Sequence, residues 1–412
     1  TQGGNQMDNV TSRLLKYVKV NTISDPKSET LPSTQIQFDL AKILVEDLKE
    51  IGVKDASLDE NCYVMGSIPG NAENAPAIGL IAHMDTSPEF SGENVKPQII
   101  EDYDGNDIVL NKDLNIVMKV SDFPYLADFK GHTLITTDGT TLLGADNKAG
   151  IAEIMEVAKY FIDNPDVKHG DIKICFTPDE EVGRGTEKFD LEKFGADFAY
   201  TLDGSFEGEI EYENFNAASA VVKIHGTNIH PGSAKHKMKN SLLIAMEFNA
   251  LLPVFDVPQY TEGYEGFYHL DEAGGTVELT TLEYIIRDHD MEKFTARKEF
   301  MTKAAAFINE KYGEGTAEIE IKDSYFNMRE HILPVMHIVD SAVAAMEKTG
   351  VKPIVKAIRG GTDGAALSYK GLPTPNIFTG GFNYHGRYEA VSVQSMNKAV
   401  ATVIEILKSY AQ

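Results

Sequence analysis

The alternation of buried strands with helices is the feature that most constrains the fold of this chain. Three short apolar runs, at 77–83, 171–177 and 197–203, each end in polar residues, as strands buried on both faces do. A helical pattern from Lys148 to Ile162 lies between the first two runs. This alternation predicts an α/β domain with a mostly parallel sheet, in which ligands bind beyond the carboxyl ends of the strands.

The stretch 214–323 follows a different order of elements. Its pattern predicts strand 217–226, helix 240–252, two strands within 275–288, helix 291–312 and strand 316–322. This is the β-α-β-β-α-β order of a ferredoxin-like unit. We therefore predict one α/β domain, residues 1–213 and 324–412, interrupted by a small α+β domain, residues 214–323. Further helices are predicted at 10–18, 36–52, 331–348 and from 391, and further strands at 352–358 and 375–379.

Charge and composition exclude several classes of function. The chain has 412 residues, and its 38 Lys and Arg against 63 Asp and Glu give a net charge of −25. Phosphate backbones and anionic lipids repel such a chain, so we expect no nucleic acid and no membrane as partner. Cys62 and Cys175 alone form no disulfide framework, which suits the reducing cytoplasm. No secretion signal is apparent, and we interpret Met7 as the natural start, with Thr1–Gln6 as an added leader.

His83 and Asp85 stand at the end of the first apolar run. They are two residues apart and therefore point to the same side of an extended chain. One can ligate a metal and the other can orient it, because a metal-bound imidazole usually donates its second ring nitrogen to a carboxylate. Taken alone, the same pair is also typical of a strand end in a surface loop.

Three further acids lie at predicted strand ends or helix starts. Asp146 immediately precedes a helix, where its carboxylate could equally serve as a cap. Glu180 and Glu181 are adjacent after the second apolar run, and their repulsion is costly unless a cation or a shared proton relieves it. Adjacent acids are also common in solvated loops, so both interpretations stay open.

Two more residues complete a set of possible metal ligands. Asp203 ends the third run, and His385 follows a glycine-rich connection that permits close approach to a site. Two imidazoles and three carboxylates suit Zn²⁺, with Co²⁺ or Mn²⁺ as substitutes. Two metals that share one bridging carboxylate would use this set economically, and Glu180 would then be available as a general base. The set consists of His83, Asp146, Glu181, Asp203 and His385.

The order of these motifs resembles that of a known family. The segments HMD, GADNKAG, DEEVGRG and LDG, followed by a glycine-flanked histidine, are similar to those of the co-catalytic zinc peptidases related to aminoacylases and carboxypeptidases. The similarity extends over nearly the whole chain from Met7, and LITTDGTTLLGADNKAG is most similar to the tripeptide aminopeptidases of the family. The resemblance implies a cytoplasmic di-zinc aminopeptidase that acts on short peptides, chiefly tripeptides.

The resemblance also implies how the metal ligands divide. Asp146 would bridge the two metals, which would hold a hydroxide between them. His83 and Asp203 would complete one site. Glu181 and His385 would complete the other.

Two residues are implied as catalytic and three are candidates for substrate binding. Asp85 would orient the histidine two residues before it, and Glu180 would take a proton from the attacking water and return it to the leaving amine. His230 resembles a lid residue that polarises the substrate carbonyl, although a solvent-facing histidine in a capped turn is the alternative. Arg287 and Arg359 could bind the terminal carboxylate of a peptide or form ordinary ion pairs.

Other functions on the same scaffold stay open from the sequence. A dipeptidase, a carboxypeptidase or an N-acyl-amino-acid deacylase would share all the metal residues. A non-catalytic peptide-binding or metal-binding protein is the alternative from another class, although such a protein has no use for Glu180. The resemblance further implies that the interrupting domain acts as a lid and could form a homodimer interface.

Overall fold

The computed structural model describes residues 7–412, so the predicted leader Thr1–Gln6 lies outside the described residues. The chain forms two compact units. The first consists of the chain up to Tyr212, His331–Lys356 and Thr362–Gln412, and the second of Glu213–Glu330 and Ala357–Gly361. The predicted interrupting domain, 214–323, lies within the range of the second unit.

Helices cover much of the first unit and part of the second. Within residues 7–412 the α-helices are α1 (Asn9–Val18), α2 (Gln37–Ile51), α3 (Ala145–Asp163), α4 (Leu191–Phe194), α5 (Ser241–Leu251), α6 (Met291–Tyr312), α7 (Arg329–Ile332), α8 (His337–Lys348), α9 (Asp363–Tyr369) and α10 (Val393–Ser409). The N–H of Val10 donates to the Asp8 carboxylate, 2.9 Å away, which caps α1. Gly52 ends α2 with φ 117, because glycine adopts this conformation without steric cost. None of these helices combines the length and apolarity that a membrane crossing requires.

The strands are short except in the second unit. Within residues 7–412 they are β1 (Ser57–Leu58), β2 (Val64–Ile68), β3 (Ile78–His83), β4 (Gln98–Ile100), β5 (Ile108–Asn111), β6 (Ile116–Met118), β7 (Leu134–Thr136), β8 (Ile172–Thr177), β9 (Phe198–Leu202), β10 (Glu209–Glu211), β11 (Asn216–His225), β12 (Phe267–Gly275), β13 (Leu279–Asp288), β14 (Ala317–Tyr325), β15 (Ile354–Val355), β16 (Asn376–Ile377), β17 (Gly381–Phe382) and β18 (Ala390–Ser392).

The main sheet of the first unit confirms the predicted α/β fold. Its strand order is β1-β2-β8-β3-β9-β16-β10-β15. The three strands predicted from the apolar runs, β8, β3 and β9, are parallel neighbours at its centre, and His83 pairs with Thr177 in the register of β3 and β8. Every residue of β3 and β9 is buried, which explains why these strands show no alternation of polar and apolar residues.

A smaller sheet of the first unit was not predicted. It has the order β17-β18-β7-β4, and its strands have two or three residues each. Such short strands leave no periodic signal in the sequence. Aromatic side chains pack beneath this sheet, with the rings of Phe129 and Phe382 stacked at a centroid distance of 4.8 Å.

The second unit has the predicted β-α-β-β-α-β order. Its four-stranded sheet has the order β12-β13-β11-β14 and is antiparallel throughout, and α5 and α6 contribute to its hydrophobic core. The prediction of both middle strands within 275–288 was wrong, because β12 runs from Phe267 to Gly275. Most of β12 is exposed, so its sequence lacks the apolar alternation that marks a strand.

The last part of the chain departs in detail from the prediction. The predicted helix 331–348 is broken, because Pro334 lies in a 3-10 turn between α7 and α8. The predicted strand 352–358 shortens to Ile354–Val355. Helix α9, which begins just after the sequence RGGT, was not predicted.

Candidate metal centre

The parallel strands of the main sheet bring the candidate ligands to one edge. His83 is the last residue of β3, and Asp203 follows the last residue of β9. Glu180 and Glu181 begin a short 3-10 turn three residues beyond the end of β8. Because parallel strands end on the same side of a sheet, these residues from distant parts of the sequence meet.

Asp146 lies between the two candidate histidine ligands. Its Oδ1 is 3.0 Å from Nε2 of His83, and its Oδ2 is 2.9 Å from Nε2 of His385. The alternative that Asp146 only caps α3 is contradicted, because Gly144 occupies the cap position and no side chain makes a capping hydrogen bond there. Asp146 itself has the non-helical angles φ −86 and ψ 97, and its carboxylate oxygens contact the two histidines.

The remaining carboxylates surround the same two imidazoles. Glu181 Oε2 is 3.1 Å from Nε2 of His385, and Asp203 Oδ1 is 3.3 Å from Nε2 of His83. Glu180 Oε2 is 3.6 Å from the same His83 nitrogen. Ligand atoms of His83, Glu180 and Asp203 lie within 4.8 Å of one another, as do those of His83, Asp146 and Glu181.

Asp85 connects the strand end to the glutamate turn. Its two carboxylate oxygens accept the backbone N–H groups of Glu180, at 3.0 Å, and Glu181, at 3.1 Å. Its Oδ1 is also 3.2 Å from Nδ1 of His83, and its carbonyl oxygen is 2.8 Å from the same nitrogen. Asp85 therefore fixes the direction of the His83 ring and the position of both glutamates.

The carboxylates are crowded and shielded from water. Burial raises the pKa of Glu180 and Glu181 well above the ordinary value and raises the pKa of Asp203 to about 6. Burial alone would lower the pKa of His385, but its hydrogen bonds to Asp146 and Glu181 raise that pKa to about 12. Without a cation, protons must therefore offset the charge of the cluster.

The residues of the cluster suit a pair of divalent cations. They offer two imidazole nitrogens and several carboxylate oxygens, the donor types that bind zinc and related metals. A divalent cation would replace the protons that the crowded acids otherwise retain. The five predicted ligands and Glu180 are all present in this cluster.

The segment that carries His385 is fixed by residues that sequence reasoning missed. His385 adopts φ 69, a conformation that is uncommon for residues other than glycine. The hydroxyl of Tyr384 donates to the carbonyl oxygen of Gly204 at 2.7 Å. Tyr125, from the stretch that precedes β7, donates its hydroxyl to the side-chain oxygen of Asn383. The unpredicted aromatic cluster thus supports one side of the site.

The other ligand segments are also supported by missed residues. The carboxylate of Asp179, the residue before Glu180, accepts the N–H of Ser33 at 2.7 Å and an amide N–H of Gln37 at 2.7 Å. The side-chain oxygen of Asn376 accepts the backbone N–H of Asp203 at 3.1 Å. The position of Asp179 within DEEVGRG could have indicated its role, but no signal in the sequence marks Asn376.

The three candidates for substrate binding belong to the second unit. Nδ1 of His230 accepts the N–H of Gly232 at 3.0 Å, so the capped turn is the contact observed there. Nη1 of Arg287 donates to the carbonyl oxygens of Ala218, at 3.4 Å, and Ile286, at 3.1 Å, and its guanidinium lies over the Tyr325 ring.

Arg359 makes hydrogen bonds to the segment 261–265. Its Nη1 donates to the carbonyl oxygens of Gly263 at 2.7 Å and Glu265 at 2.9 Å, and its Nη2 donates to the hydroxyl of Thr261 at 3.0 Å. The guanidinium also lies over the ring of Phe215, 5.0 Å from its centre. Arg359 thereby holds the segment 261–265 in place.

Comparison with known proteins gives a consistent result. Residues 132–409 match the description "Peptidase family M20/M25/M40". The chain is 59% identical over 409 residues to "Peptidase T" of Alkaliphilus oremlandii (strain OhILAs), covering 98% of this chain and 100% of that protein. It is 58% identical over 407 residues to "Peptidase T" of Clostridium acetobutylicum, with 98% and 100% covered.

Solved structures show the same fold. The crystal structure of aminopeptidase PepT from Bacillus cereus superposes with a TM-score of 0.76 at 23% identity, covering 98% of both chains. The YXEP protein of Bacillus subtilis, described as a dinuclear metal binding peptidase from the M20 family, superposes with a TM-score of 0.64 at 16% identity, again over 98% of both chains.

Proposed function

The chain belongs to peptidase family M20/M25/M40, among the peptidase T proteins, and from this membership we propose that it is a metal-dependent aminopeptidase that releases the N-terminal residue of tripeptides. The observation that carries the proposal is the position of Asp146, whose two oxygens face Nε2 of His83 and of His385. One carboxylate in this position can serve two cations, which is the arrangement that a dinuclear hydrolase needs.

Glu180 is the general base of the proposed reaction. Its backbone is fixed by Asp85, and its carboxylate lies 3.6 Å from His83 Nε2 at the margin of the ligand cluster. Burial raises its pKa, so the carboxyl retains a proton more readily than an exposed glutamate does. This property suits a group that takes a proton from the attacking water and returns it to the leaving amine. Bound divalent cations would polarise the scissile carbonyl and lower the pKa of that water.

We propose zinc as the metal, with two ions per subunit and with Co²⁺ or Mn²⁺ as substitutes. Asp146 would be shared between the two ions. His83 and Asp203 would complete one site, while Glu181 and His385 would complete the other. The mixed nitrogen and oxygen donors support zinc, which accepts both kinds of ligand.

We propose that the second unit binds the far end of the peptide. His230 would contact the substrate carbonyl, and Arg287 or Arg359 would bind the terminal carboxylate. We choose Arg287 for the test, because the bonds of Arg359 to Thr261, Gly263 and Glu265 give that residue a structural role. Length selection for tripeptides would follow from the separation between this receptor and the metal centre.

We also propose a homodimer through the second unit. Helix α5 carries the apolar side chains of Leu243 and Met246, which are 61% and 67% exposed. The two residues are three positions apart and therefore lie on one face of the helix, where an apolar patch could bind a second copy. If Leu243→Glu combined with Met246→Glu leaves the mass measured by light scattering unchanged, this interface is wrong.

A cytoplasmic location is the last part of the proposal. Cys62 and Cys175 are both free and buried, as expected for a protein that folds under reducing conditions. Tripeptides produced by other peptidases would be the substrates available there.

The activity is tested by hydrolysis of an unblocked tripeptide with metal-stripped protein before and after addition of Zn²⁺. A dipeptide, a tetrapeptide and an N-acetylated tripeptide serve as matched substrates. We expect metal-restored release of the first residue from the unblocked tripeptide alone. Cleavage of the acetylated tripeptide would instead identify a deacylase or carboxypeptidase, and absence of cleavage would contradict an enzymatic function.

A further inference from the structure

Glu389 makes an unusual set of contacts for a residue outside the ligand cluster. Its side chain is buried, with 1% of the residue exposed. Oε1 accepts the backbone N–H groups of Leu143 and Gly144, each at 2.8 Å, and Oε2 accepts the backbone N–H of Asp146 at 2.9 Å. One carboxylate therefore binds three N–H groups of a single chain segment, the segment that ends in the central acid of the cluster.

The backbone of Glu389 is itself fixed close to another candidate ligand. It lies four residues after His385, and its N–H donates to the carbonyl oxygen of Gly386 at 3.2 Å. The next residue, Ala390, begins β18 and pairs with Thr136 of β7. The side chain of Glu389 thus extends from the residue just before a paired strand toward the segment 143–146.

These contacts differ from ordinary capping of α3. A cap residue satisfies N–H groups inside the first turn of a helix, whereas two of the three donors here, Leu143 and Gly144, precede the helix. Gly144 has φ 89, and Asp146 has non-helical angles, so this segment lacks the regular hydrogen bonds that would fix it by itself. The carboxylate of Glu389 supplies acceptors that the helix does not.

We infer that Glu389 is a positioning residue for the metal centre. By holding the backbone of 143–146, it keeps the two oxygens of Asp146 directed at His83 and His385. The inference rests on the proposed metal centre and adds a residue that touches neither substrate nor metal. Supporting groups behind metal ligands commonly contribute about 10-fold to 100-fold to metal affinity.

The substitution Glu389→Gln tests the inference with little change in volume. A carboxylate offers two acceptor oxygens, whereas an amide offers one and places an NH₂ group against a backbone donor. Either the pair of bonds to Leu143 and Gly144 or the bond to Asp146 is then lost. Glu389→Asp is the second variant, because it retains the charge but withdraws the carboxylate by one methylene group.

The control is Asp288→Asn in the second unit. Asp288 is equally buried, and its carboxylate accepts the backbone N–H of Asp290 at 3.0 Å and Nε of Arg297 at 2.8 Å. The change from carboxylate to amide is the same as in Glu389→Gln, but Asp288 makes these hydrogen bonds to Asp290 and Arg297, which are not candidate metal ligands. A loss of thermal stability without a loss of metal affinity is therefore expected for the control.

The experiment is a titration of metal-stripped full-length protein with Co²⁺, followed by visible absorption and by calorimetry at a temperature where circular dichroism shows each variant folded. We expect Co²⁺ to bind about 10-fold to 100-fold more weakly to Glu389→Gln, with a changed absorption spectrum, and Glu389→Asp to be weakened as well. Asp288→Asn should match the unsubstituted protein in both respects.

Two different results would overturn the inference, one concerning Glu389 alone and one concerning the metal centre. If either folded Glu389 variant binds Co²⁺ with the affinity and spectrum of the unsubstituted protein, Glu389 has a structural role only. If the unsubstituted protein binds no Co²⁺, the metal centre proposed above is wrong and the positioning role falls with it.

Discussion

Glu180→Gln should change activity and stability in opposite directions. The substitution keeps the size of the side chain and the backbone N–H bond to Asp85, which is 3.0 Å long. It removes only the ability to accept and return a proton. Removal of a positioned general base typically reduces the rate by a factor of about 10² to 10⁴. The corresponding increase in the activation free energy is about 3 to 5 kcal/mol.

The stability effect follows from the burial of Glu180. Burial raises the pKa of this carboxyl well above its ordinary value in the protein without metal; the charge of His83 opposes this shift, and the charges of Asp203 and Glu181 add to it. Because the folded-state pKa is raised, the contribution of Glu180 to the free energy of unfolding is fully present below the unfolded pKa of about 4.3. This contribution is lost as the pH rises through the folded pKa. Glutamine does not ionise, so metal-free Glu180→Gln should be more stable than the unsubstituted protein at pH 8 and similar to it at pH 4.5.

The assay combines kcat for a tripeptide with thermal unfolding of the metal-free protein at both pH values. Zn²⁺ content measured after reconstitution shows whether the variant still holds metal. A kcat within about threefold of the unsubstituted value would refute the role of Glu180 as general base. A lower melting temperature of the metal-free variant at pH 8 would refute the electrostatic reasoning about the cluster.

Four further predictions concern other residues of the chain. Both carboxyl oxygens of Glu153 are buried without a hydrogen-bond partner in the described structure, and burial raises the pKa of this group, so Glu153→Met should raise the melting temperature more at pH 8 than at pH 5 in a thermal scan. Arg287→Ala should lower kcat/KM for a tripeptide about 10-fold or more but leave kcat/KM for the tripeptide amide nearly unchanged, since only the acid has a terminal carboxylate; equal losses would contradict the assignment. Arg359→Ala should lower the melting temperature, measured by calorimetry, because three hydrogen bonds to the segment 261–265 are lost. Asp85→Asn should weaken Zn²⁺ binding about 10-fold to 100-fold in a chelator competition assay, because one of the two side-chain oxygens that accept the N–H groups of Glu180 and Glu181 becomes an NH₂ group.

Much of the fold could be predicted because burial leaves a strong pattern in long elements. The apolar runs marked β3, β8 and β9, and the helical spacing marked α1 and α2. The elements that could not be predicted from the sequence are short or exposed. The sheet of β4, β7, β17 and β18 has strands of two or three residues, and β12 is mostly exposed, so neither carries a periodic signal.

The candidate ligands could be named from the sequence because each acid or histidine stands at a strand end or helix start in a distinctive short motif. The sequence alone could not exclude that Asp146 caps a helix or that Glu180 and Glu181 lie in a solvated loop. The structure decides against both alternatives, since hydrogen bonds and burial depend on what the rest of the chain brings near. Residue type therefore indicated which groups could bind metal, but not which groups lie close together in the folded chain.

The sequence by itself determined the classes of element, the chemistry of the candidate ligands and the acidic charge that disfavours nucleic acid. Only the tertiary structure revealed the residues that bond to the backbone of the candidate ligands, such as Glu389 to Asp146 and Asn376 to Asp203. Only the structure distinguished Arg287 from Arg359 by their partners. The physical reason is that a hydrogen bond between residues 243 positions apart, as between Asp146 and Glu389, leaves no mark on local residue pattern and exists only once the chain has folded.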